Sequence, residues 1–93
     1  MLIAKRCLVA GRVQGVFYRA SAQQKAHELS VYGYAKNLVD GRVEVLAIGE
    51  FDSVEALVKW LWQGSPTSHV THVEVAEIAA DSPGTIPTSF VTR

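Results

Sequence analysis

The segment GRVQGVFYR, residues 11–19, combines the two features from which a binding loop for an oxyanion can be built. Gly11 and Gly15 can adopt backbone conformations that other residues avoid, so the chain can turn sharply and present successive N–H groups to a ligand. Arg19 follows a run of large apolar residues, and its guanidinium can hold two oxygens of one phosphate. These residue types predict an anion-binding loop.

Arg19 is expected in the first turn of a helix, because helical periodicity begins where the loop ends. A positive charge there opposes the helix dipole at a cost of about 0.3 to 1 kcal/mol, and a bound phosphate would reverse this effect. The alternative is that the glycines only form a turn and Arg19 is a solvated surface residue. The loop lacks the Gly-Lys-Ser/Thr sequence of nucleotide-binding loops and has no nearby Asp for magnesium, which argues against a nucleotide.

Asn37 is the second residue whose type suits this chemistry, since its amide can both accept a hydrogen bond from water and donate one. Taken alone, an Asn at the end of a strand is better explained as a turn residue. Gln14 could simply bond its own loop, and Asp40 suits a hairpin turn better than the activation of water. Lys36 could strengthen the positive field of the site, but an exposed strand lysine is the simpler interpretation.

The histidines and the cysteine of the sequence do not indicate a metal site or a covalent nucleophile. The three histidines lack the spacing of a metal site with a third ligand, and we expect them on the surface or on strand faces: His27, His69 and His72. The single cysteine, Cys7, lies in the middle of a predicted strand, so we do not expect it to act as a nucleophile. We therefore expect neither a metal nor a cofactor.

Apolar periodicity divides the chain into strands and helices that must position these residues. In the first strand, three residues fall on one face: Ile3, Cys7 and Val9. The predicted strands are 3–10, 31–37, 42–49 and 69–79, and the predicted helices are 16–30 and 51–64. Residues 81–87 are expected to form a loop, and residues 88–93 could form a short closing strand.

The second predicted helix, residues 51–64, is defined by its cap, its apolar stripe and its end. Asp52 or Ser53 is expected to cap it, with Glu55 in the spacing of a capping box. Four apolar residues repeat at the spacing of one helix face: Val54, Leu57, Val58 and Leu61. Gly64, followed by a proline, is expected to end the helix.

The resulting order of elements is β-α-β-β-α-β, with a possible short strand at the end. This order predicts an α+β fold of the ferredoxin-like sandwich type. In it, an antiparallel sheet of four strands, possibly with a short fifth, carries both helices on one face. Such sandwiches serve enzymes, RNA-binding proteins, metal chaperones and regulatory domains, so the fold alone does not define the function.

Composition restricts the function further. The chain has 93 residues, and we expect a single domain over residues 1–93. Nine basic residues balance nine acidic residues, so the overall charge does not favour nucleic acid or an acidic membrane. The single cysteine fits a reducing compartment, and neither a signal peptide nor a run of about 20 apolar residues is recognisable. We expect a small cytoplasmic monomer that binds neither nucleic acid nor membrane.

Two long motifs of this chain resemble those of the acylphosphatases. GRVQGVFYR, residues 11–19, is similar to the family's first motif, and GYAKNLVDGRVEVLAIG, residues 33–49, is similar to its second. Three shorter matches are also typical of the family: GSP at residues 64–66, Phe90 and Arg93. The resemblance covers nearly the whole chain. Tyr18 is the one departure, since the family usually has Phe or Met there, and its hydroxyl would need water or a partner if buried.

The resemblance implies an enzyme that hydrolyses the carboxyl–phosphate bond of acyl phosphates to a carboxylate and inorganic phosphate, without a metal. It implies that Arg19 binds the phosphate, that Asn37 orients the attacking water, and that the substrate's own phosphate accepts the proton of that water. The phosphate-binding residues that it implies are Gln14, Gly15, Val16, Phe17, Tyr18 and Arg19, through their backbone N–H groups. The ligands are then a small acyl phosphate and inorganic phosphate, which is product and inhibitor.

Two other functions remain open on the sequence. An RNA-binding module of the same fold would place aromatic residues such as Tyr32 and Tyr34 beside clustered basic residues, but the strand RVEVLAIG has no aromatic platform. An accessory domain of acylphosphatase ancestry would be fused within a larger maturation protein. This chain ends soon after its last predicted strand and retains both Arg19 and Asn37, so we expect a complete enzyme.

Overall fold

In a computed structural model, which describes residues 2–79 and 89–93, five strands and two helices follow the predicted order. The elements are β1 Leu2–Arg12, α1 Tyr18–Leu29, β2 Tyr32–Asn37, β3 Val43–Glu50, α2 Phe51–Gln63, β4 His69–Ile78 and β5 Phe90–Thr92. The predicted closing strand is therefore present as β5. The loop predicted at residues 81–87 lies outside the described residues.

The strands form one sheet in the order β4-β1-β3-β2-β5. The first four strands of the chain pair antiparallel, as predicted. The fifth strand, β5, pairs parallel to β2, so the sheet as a whole is mixed. In the register, Val9 of β1 lies opposite Val43 of β3, and Val43 lies opposite Asn37 of β2. The carboxyl-terminal ends of β1 and β2 are therefore at the same end of the sheet.

The main core lies between the two helices and one face of the sheet. It contains the alternate residues of β3 that face the helices, Val43, Val45 and Ala47, together with Cys7 and Val9 of β1. From α2, three of the four residues in the predicted stripe are buried: Val54, Leu57 and Leu61. Complete burial of such side chains contributes about 1.5 to 3 kcal/mol each, which fixes α2 over the centre of the sheet.

The opposite face of β3 carries a smaller buried cluster. Leu46 and Ile48 pack there with Ala4 of β1, and Tyr34 and Ile78 cover them in part. Because β3 is the central strand and is buried on both faces, its sequence is almost continuously apolar rather than alternating.

The second helix has the predicted range, but its predicted cap is wrong. The helix begins at Phe51, directly after β3, and Glu50 occupies the cap position without a capping hydrogen bond from its side chain. Asp52 and Ser53 consequently lie inside the helix and cannot be its cap. Asp52 still lies in the first turn, where a carboxylate interacts favourably with the helix dipole.

Glu55 has a different partner from the capping box that its spacing predicts. Its carboxylate forms an ion pair and hydrogen bond with the ammonium group of Lys5, a residue of β1 whose side chain is largely covered. This contact joins α2 to the strand beneath it.

Candidate active site

The cradle loop, which we define as residues 14–17, connects β1 to α1 and has an unusual backbone. Gly15 has φ +74° and Phe17 has φ +61°, while Val16 between them does not share the positive φ. A loop in which the sign of φ alternates in this way can turn successive N–H groups toward one side and make a concave site for an anion. The hydrogen bonds of loops and turns in the described segments include none donated by the N–H groups of these three residues.

Gly11 has a different role from the one its place in the motif predicts. It belongs to β1, not to the cradle loop, and pairs with Val70 of β4 where the register shifts by a bulge after Ala10. A Cβ atom at Gly11 would lie 2.2 Å from the main-chain oxygen of His69, and its φ is +119°. Glycine is therefore required here for the close approach of β4, and only Gly15 provides the turn in the loop.

The cradle loop is held from behind by residues that follow α2. The main-chain oxygen of Val16 accepts hydrogen bonds from Ser65 Oγ at 2.7 Å and Thr67 Oγ1 at 3.3 Å. In a trans peptide the C=O and N–H groups point in opposite directions, so fixing the Val16 oxygen also fixes the Phe17 N–H. Sequence reasoning gave these two residues no role. The motif GSP, which contains the buried Ser65, was the available signal.

Gln14 connects the cradle loop to the turn between β2 and β3. Its side-chain Nε2 donates to the main-chain oxygens of Leu38 at 2.8 Å and Arg42 at 3.0 Å. The expectation that Gln14 bonds within its own loop is therefore wrong. Both amide hydrogens reach across to the segment that directly follows Asn37, and this contact links the two halves of the candidate site.

Tyr18 is buried behind the cradle loop, and its hydroxyl has a partner, as burial requires. The hydroxyl donates to the main-chain oxygen of Leu61 at 2.7 Å, and the ring packs on Trp60 at a centroid distance of 5.8 Å. Leu61 belongs to the last turn of α2, where main-chain oxygens have no partner within the helix. Burial raises the pKa of the Tyr18 hydroxyl, which therefore remains a protonated donor.

Arg19 lies in the first turn of α1, as predicted, with no acidic residue in that turn. Its Nη1 atom donates to the main-chain oxygen of Arg93 at 2.5 Å. Within residues 2–79 and 89–93, no side-chain carboxylate forms an ion pair with its guanidinium. Arg19 also lines a cavity of about 290 Å³ together with Gly15, Phe17 and Tyr18. The guanidinium is thus placed beside the cradle loop without an acidic side chain as partner.

Asn37 is the last residue of β2 and contacts the same main-chain oxygen of Arg93. Its main-chain N–H donates to the oxygen of Arg93 at 3.4 Å, so Arg19 and Asn37 share one acceptor. Its side-chain Oδ1 is buried and has no hydrogen-bond partner in the described part of the chain. A buried acceptor left without a donor costs about 1 to 3 kcal/mol, and this cost is removed when a polar ligand such as water binds there.

Asp40 has the structural role that the sequence predicts. Its carboxylate accepts hydrogen bonds from the main-chain N–H of Arg42 at 3.0 Å and from the Nε of the same residue at 2.8 Å. These bonds close the turn between β2 and β3. The Arg42 hydrogen bonds hold the pKa of Asp40 below its usual range, so the carboxylate is ionised and occupied by the turn.

The remaining titratable candidates lie outside this site. Cys7 is fully buried, and burial raises the pKa of its thiol to about 11. Lys36 is exposed on β2. Of the histidines, His27 lies on α1 with Nε2 3.3 Å from the main-chain oxygen of Phe90. The described segments contain no group of three or more His, Cys, Asp or Glu residues that could hold a metal ion.

Neither α1 nor α2 has the length and apolar character that a helix crossing a membrane needs.

Fold and loop geometry together define a class of protein, the small α+β sandwich in which a strained loop with positive φ at Gly15 and Phe17 connects the first strand to the first helix. Residues 5–91 match the family model described as Acylphosphatase. The chain belongs to the acylphosphatase family, and its activity is the hydrolysis of acyl phosphates.

Relatives and solved structures agree with this assignment over the whole domain. The chain is 54% identical over 83 residues to the acylphosphatase of Chromohalobacter salexigens, covering 86% of this chain and 92% of that one. It is 52% identical over 80 residues to that of Alkalilimnicola ehrlichii, covering 86% and 90%. The crystal structure of the Bacillus subtilis acylphosphatase superposes with a TM-score of 0.90 at 36% identity, covering 100% and 99%.

Proposed function

We propose that this acylphosphatase works without a metal, with the cradle loop and Arg19 binding the phosphoryl group and Asn37 orienting the attacking water. The observation that carries the proposal is the juxtaposition at Arg93. The guanidinium of Arg19 and the main-chain N–H of Asn37 donate to the same main-chain oxygen of Arg93. In the described residues the guanidinium has no side-chain carboxylate as partner, and the buried Oδ1 of Asn37 accepts no hydrogen bond. An anionic phosphoryl group would pair with the guanidinium of Arg19, and a water molecule would donate a hydrogen bond to Oδ1 of Asn37.

Binding of the phosphoryl group uses fixed donors. The N–H groups of Gly15, Val16 and Phe17 are oriented by the alternating backbone, and the guanidinium of Arg19 adds a planar pair of donors. During transfer, negative charge spreads over the three equatorial oxygens of the phosphoryl group. Donors that are already in place stabilise this charge without reorganisation, which is the largest contribution available to such a site.

Asn37 supplies orientation rather than base catalysis. Its Oδ1 accepts a hydrogen bond from the water and holds an oxygen lone pair toward phosphorus, which lowers the entropy cost of the attack. The described site offers no general base, because the carboxylate of Asp40 is held in its turn. The water therefore transfers its proton to an oxygen of the substrate's phosphoryl group. The P–O bond to the carboxylate breaks, and the carboxylate leaves with that electron pair.

Inorganic phosphate is the product that remains in the cradle loop. Because it presents the same oxygens to the same donors, we propose that it is also a competitive inhibitor. We further propose that the enzyme acts as a monomer in the cytoplasm, in agreement with a balanced net charge and a single buried cysteine. Sedimentation equilibrium should then give the mass of one chain, 10.1 kDa.

The proposal is tested by following the hydrolysis of acetyl phosphate by the purified chain after treatment with EDTA. We expect turnover unchanged by EDTA and by added magnesium, together with competitive inhibition by inorganic phosphate. Sulfate at matched ionic strength controls for general screening by salt. Loss of turnover in EDTA that magnesium restores would contradict the metal-free mechanism.

A further inference from the structure

Phe17 presents a large apolar side chain to solvent at the edge of the candidate active site. Its exposed fraction is 81%, so the ring contributes little to the core. Its backbone has φ +61°, a left-handed conformation that strains any residue with a Cβ atom and bulky residues most. Among the described residues other than glycine, only Phe17 and Ser30 have a positive φ, and Ser30 ends α1.

Folding alone does not explain why an aromatic residue occupies this position. The alternating backbone of the cradle loop requires the left-handed conformation, and glycine would adopt it without strain. Asparagine would also tolerate it and would not expose apolar surface. The ring is therefore retained at a place where it both strains the backbone and faces water, which is typical of residues that act on a ligand.

The position of the ring indicates which part of the ligand it contacts. Phe17 and Arg19 line the same cavity of about 290 Å³. A phosphoryl group bound by the N–H of Phe17 lies against the backbone of the residue that carries the ring. The bridging oxygen of an acyl phosphate must point out of the cradle loop, so the acyl group extends toward the cavity that Phe17 lines.

The residues that line the cavity indicate which class of acyl group it can accommodate. Of the described residues that line the cavity, Arg19 is the only one with a charged side chain. In the proposed function its guanidinium pairs with the phosphoryl group. The other lining residues are mostly apolar and include Val13 and Ala20.

We infer that Phe17 is a specificity-determining residue that contacts the acyl group and raises the preference of the enzyme for a flat apolar acyl group over a small one. The inference rests on the proposed function of the cradle loop. Offset stacking or edge contact between two aromatic rings adds to the affinity that burial of their area provides. The contact persists while the P–O bond breaks, because the acyl group remains beside the ring.

The test compares kcat/KM for benzoyl phosphate and acetyl phosphate, expressed as a ratio for each protein. Phe17→Asn removes the ring but keeps a residue that tolerates the left-handed backbone, and we expect the ratio to fall roughly three- to tenfold. Phe17→Tyr retains an aromatic ring and should keep the ratio within about twofold of the unmodified enzyme. Phe51→Asn removes another exposed phenylalanine, 54% exposed at the opposite end of the sheet, and should leave the ratio unchanged.

A ratio for Phe17→Asn equal to that of the unmodified enzyme would overturn the inference while leaving the hydrolase function intact. Failure of the unmodified chain to hydrolyse either substrate would instead overturn the proposed function. Inhibition of the unmodified enzyme by benzoylphosphonate and acetylphosphonate gives a second test, which does not depend on the folding of any variant. We expect tighter inhibition by the benzoyl compound, and equal inhibition constants would contradict a contact with the ring.

Discussion

Arg19 lies at the amino-terminal end of α1, where a positive charge destabilises the helix but is well placed to bind a phosphate. It lies in the first turn of α1, where the helix dipole opposes positive charge, and no side-chain carboxylate of the described segments pairs with it. Its Nη1 contact with the Arg93 oxygen fixes the direction of the guanidinium. At the scale of single residues, the site is therefore arranged for an anion before the anion binds.

Replacement of Arg19 by lysine tests whether geometry or charge matters. Arg19→Lys should lower kcat/KM by about 100-fold or more, because one ammonium group cannot replace two parallel N–H donors directed at the equatorial oxygens. The measurement is steady-state hydrolysis of an acyl phosphate at fixed ionic strength. Arg6→Lys is the matched control, since Arg6 is an exposed residue of β1. If lysine at position 19 supports nearly normal activity, simple charge attraction is the better account.

The sequence indicated the candidate residues of the site better than it indicated their supports. Gly15 and Arg19 are recognisable as an anion-binding combination because their chemistry depends on their own backbone or side chain, whereas Asn37 became a candidate through the resemblance to the acylphosphatase motif. The contacts of Ser65 with Val16 and of Gln14 with the β2–β3 turn join residues that are far apart in the chain. Local periodicity carries no information on such contacts, so their roles became visible only in the structure.

At the scale of elements, the end of α2 serves as the support of the cradle loop. Tyr18 provides the hydroxyl that satisfies the Leu61 oxygen, and Gly64 allows the chain to turn beside it. A Cβ atom at Gly64 would lie 2.3 Å from Ser68 Oγ and 3.0 Å from the Tyr18 ring. The departure from the family's usual Phe or Met thus adds a hydrogen bond between the two helices.

The Tyr18→Phe variant should lose about 1 to 2 kcal/mol of the free energy of unfolding. The substitution removes the donor and leaves the main-chain oxygen of Leu61 buried without that partner, while the ring packing on Trp60 is preserved. Urea unfolding followed by tryptophan fluorescence measures the change. Tyr32→Phe, at an exposed tyrosine of β2, should have no effect of this size. Equal stability of Tyr18→Phe and the unmodified chain would show that the hydrogen bond contributes nothing net.

At the scale of the whole molecule, the sheet places both halves of the site at one end. The order of elements could be predicted because alternating and helical patterns are local properties of the chain. The parallel pairing of β5 with β2 could not, since a three-residue strand carries no signal for its partner. That pairing brings Arg93 to the site, where its N–H donates to Ala35 and its oxygen accepts from Arg19 and Asn37.

Because the site joins α1, β2 and β5, a bound anion should stabilise the whole fold. At a phosphate concentration 100 times its dissociation constant, the free energy of unfolding should rise by about 2.7 kcal/mol. Urea unfolding in phosphate and in chloride at equal ionic strength measures this increase. Arg19→Lys should reduce it, while Arg6→Lys should not. An equal increase in all three proteins would indicate a general effect of the salt rather than binding at the cradle loop.

The central claim is that the cradle loop binds the phosphoryl group while Asn37 orients the attacking water. The Asn37→Ala variant tests this claim most directly. The quantities to measure are kcat for an acyl phosphate and the inhibition constant of inorganic phosphate. If Asn37 orients water, kcat should fall by about 100-fold or more while the inhibition constant stays within about threefold. Equal losses in turnover and in phosphate binding would contradict the account and place Asn37 among the groups that bind the substrate.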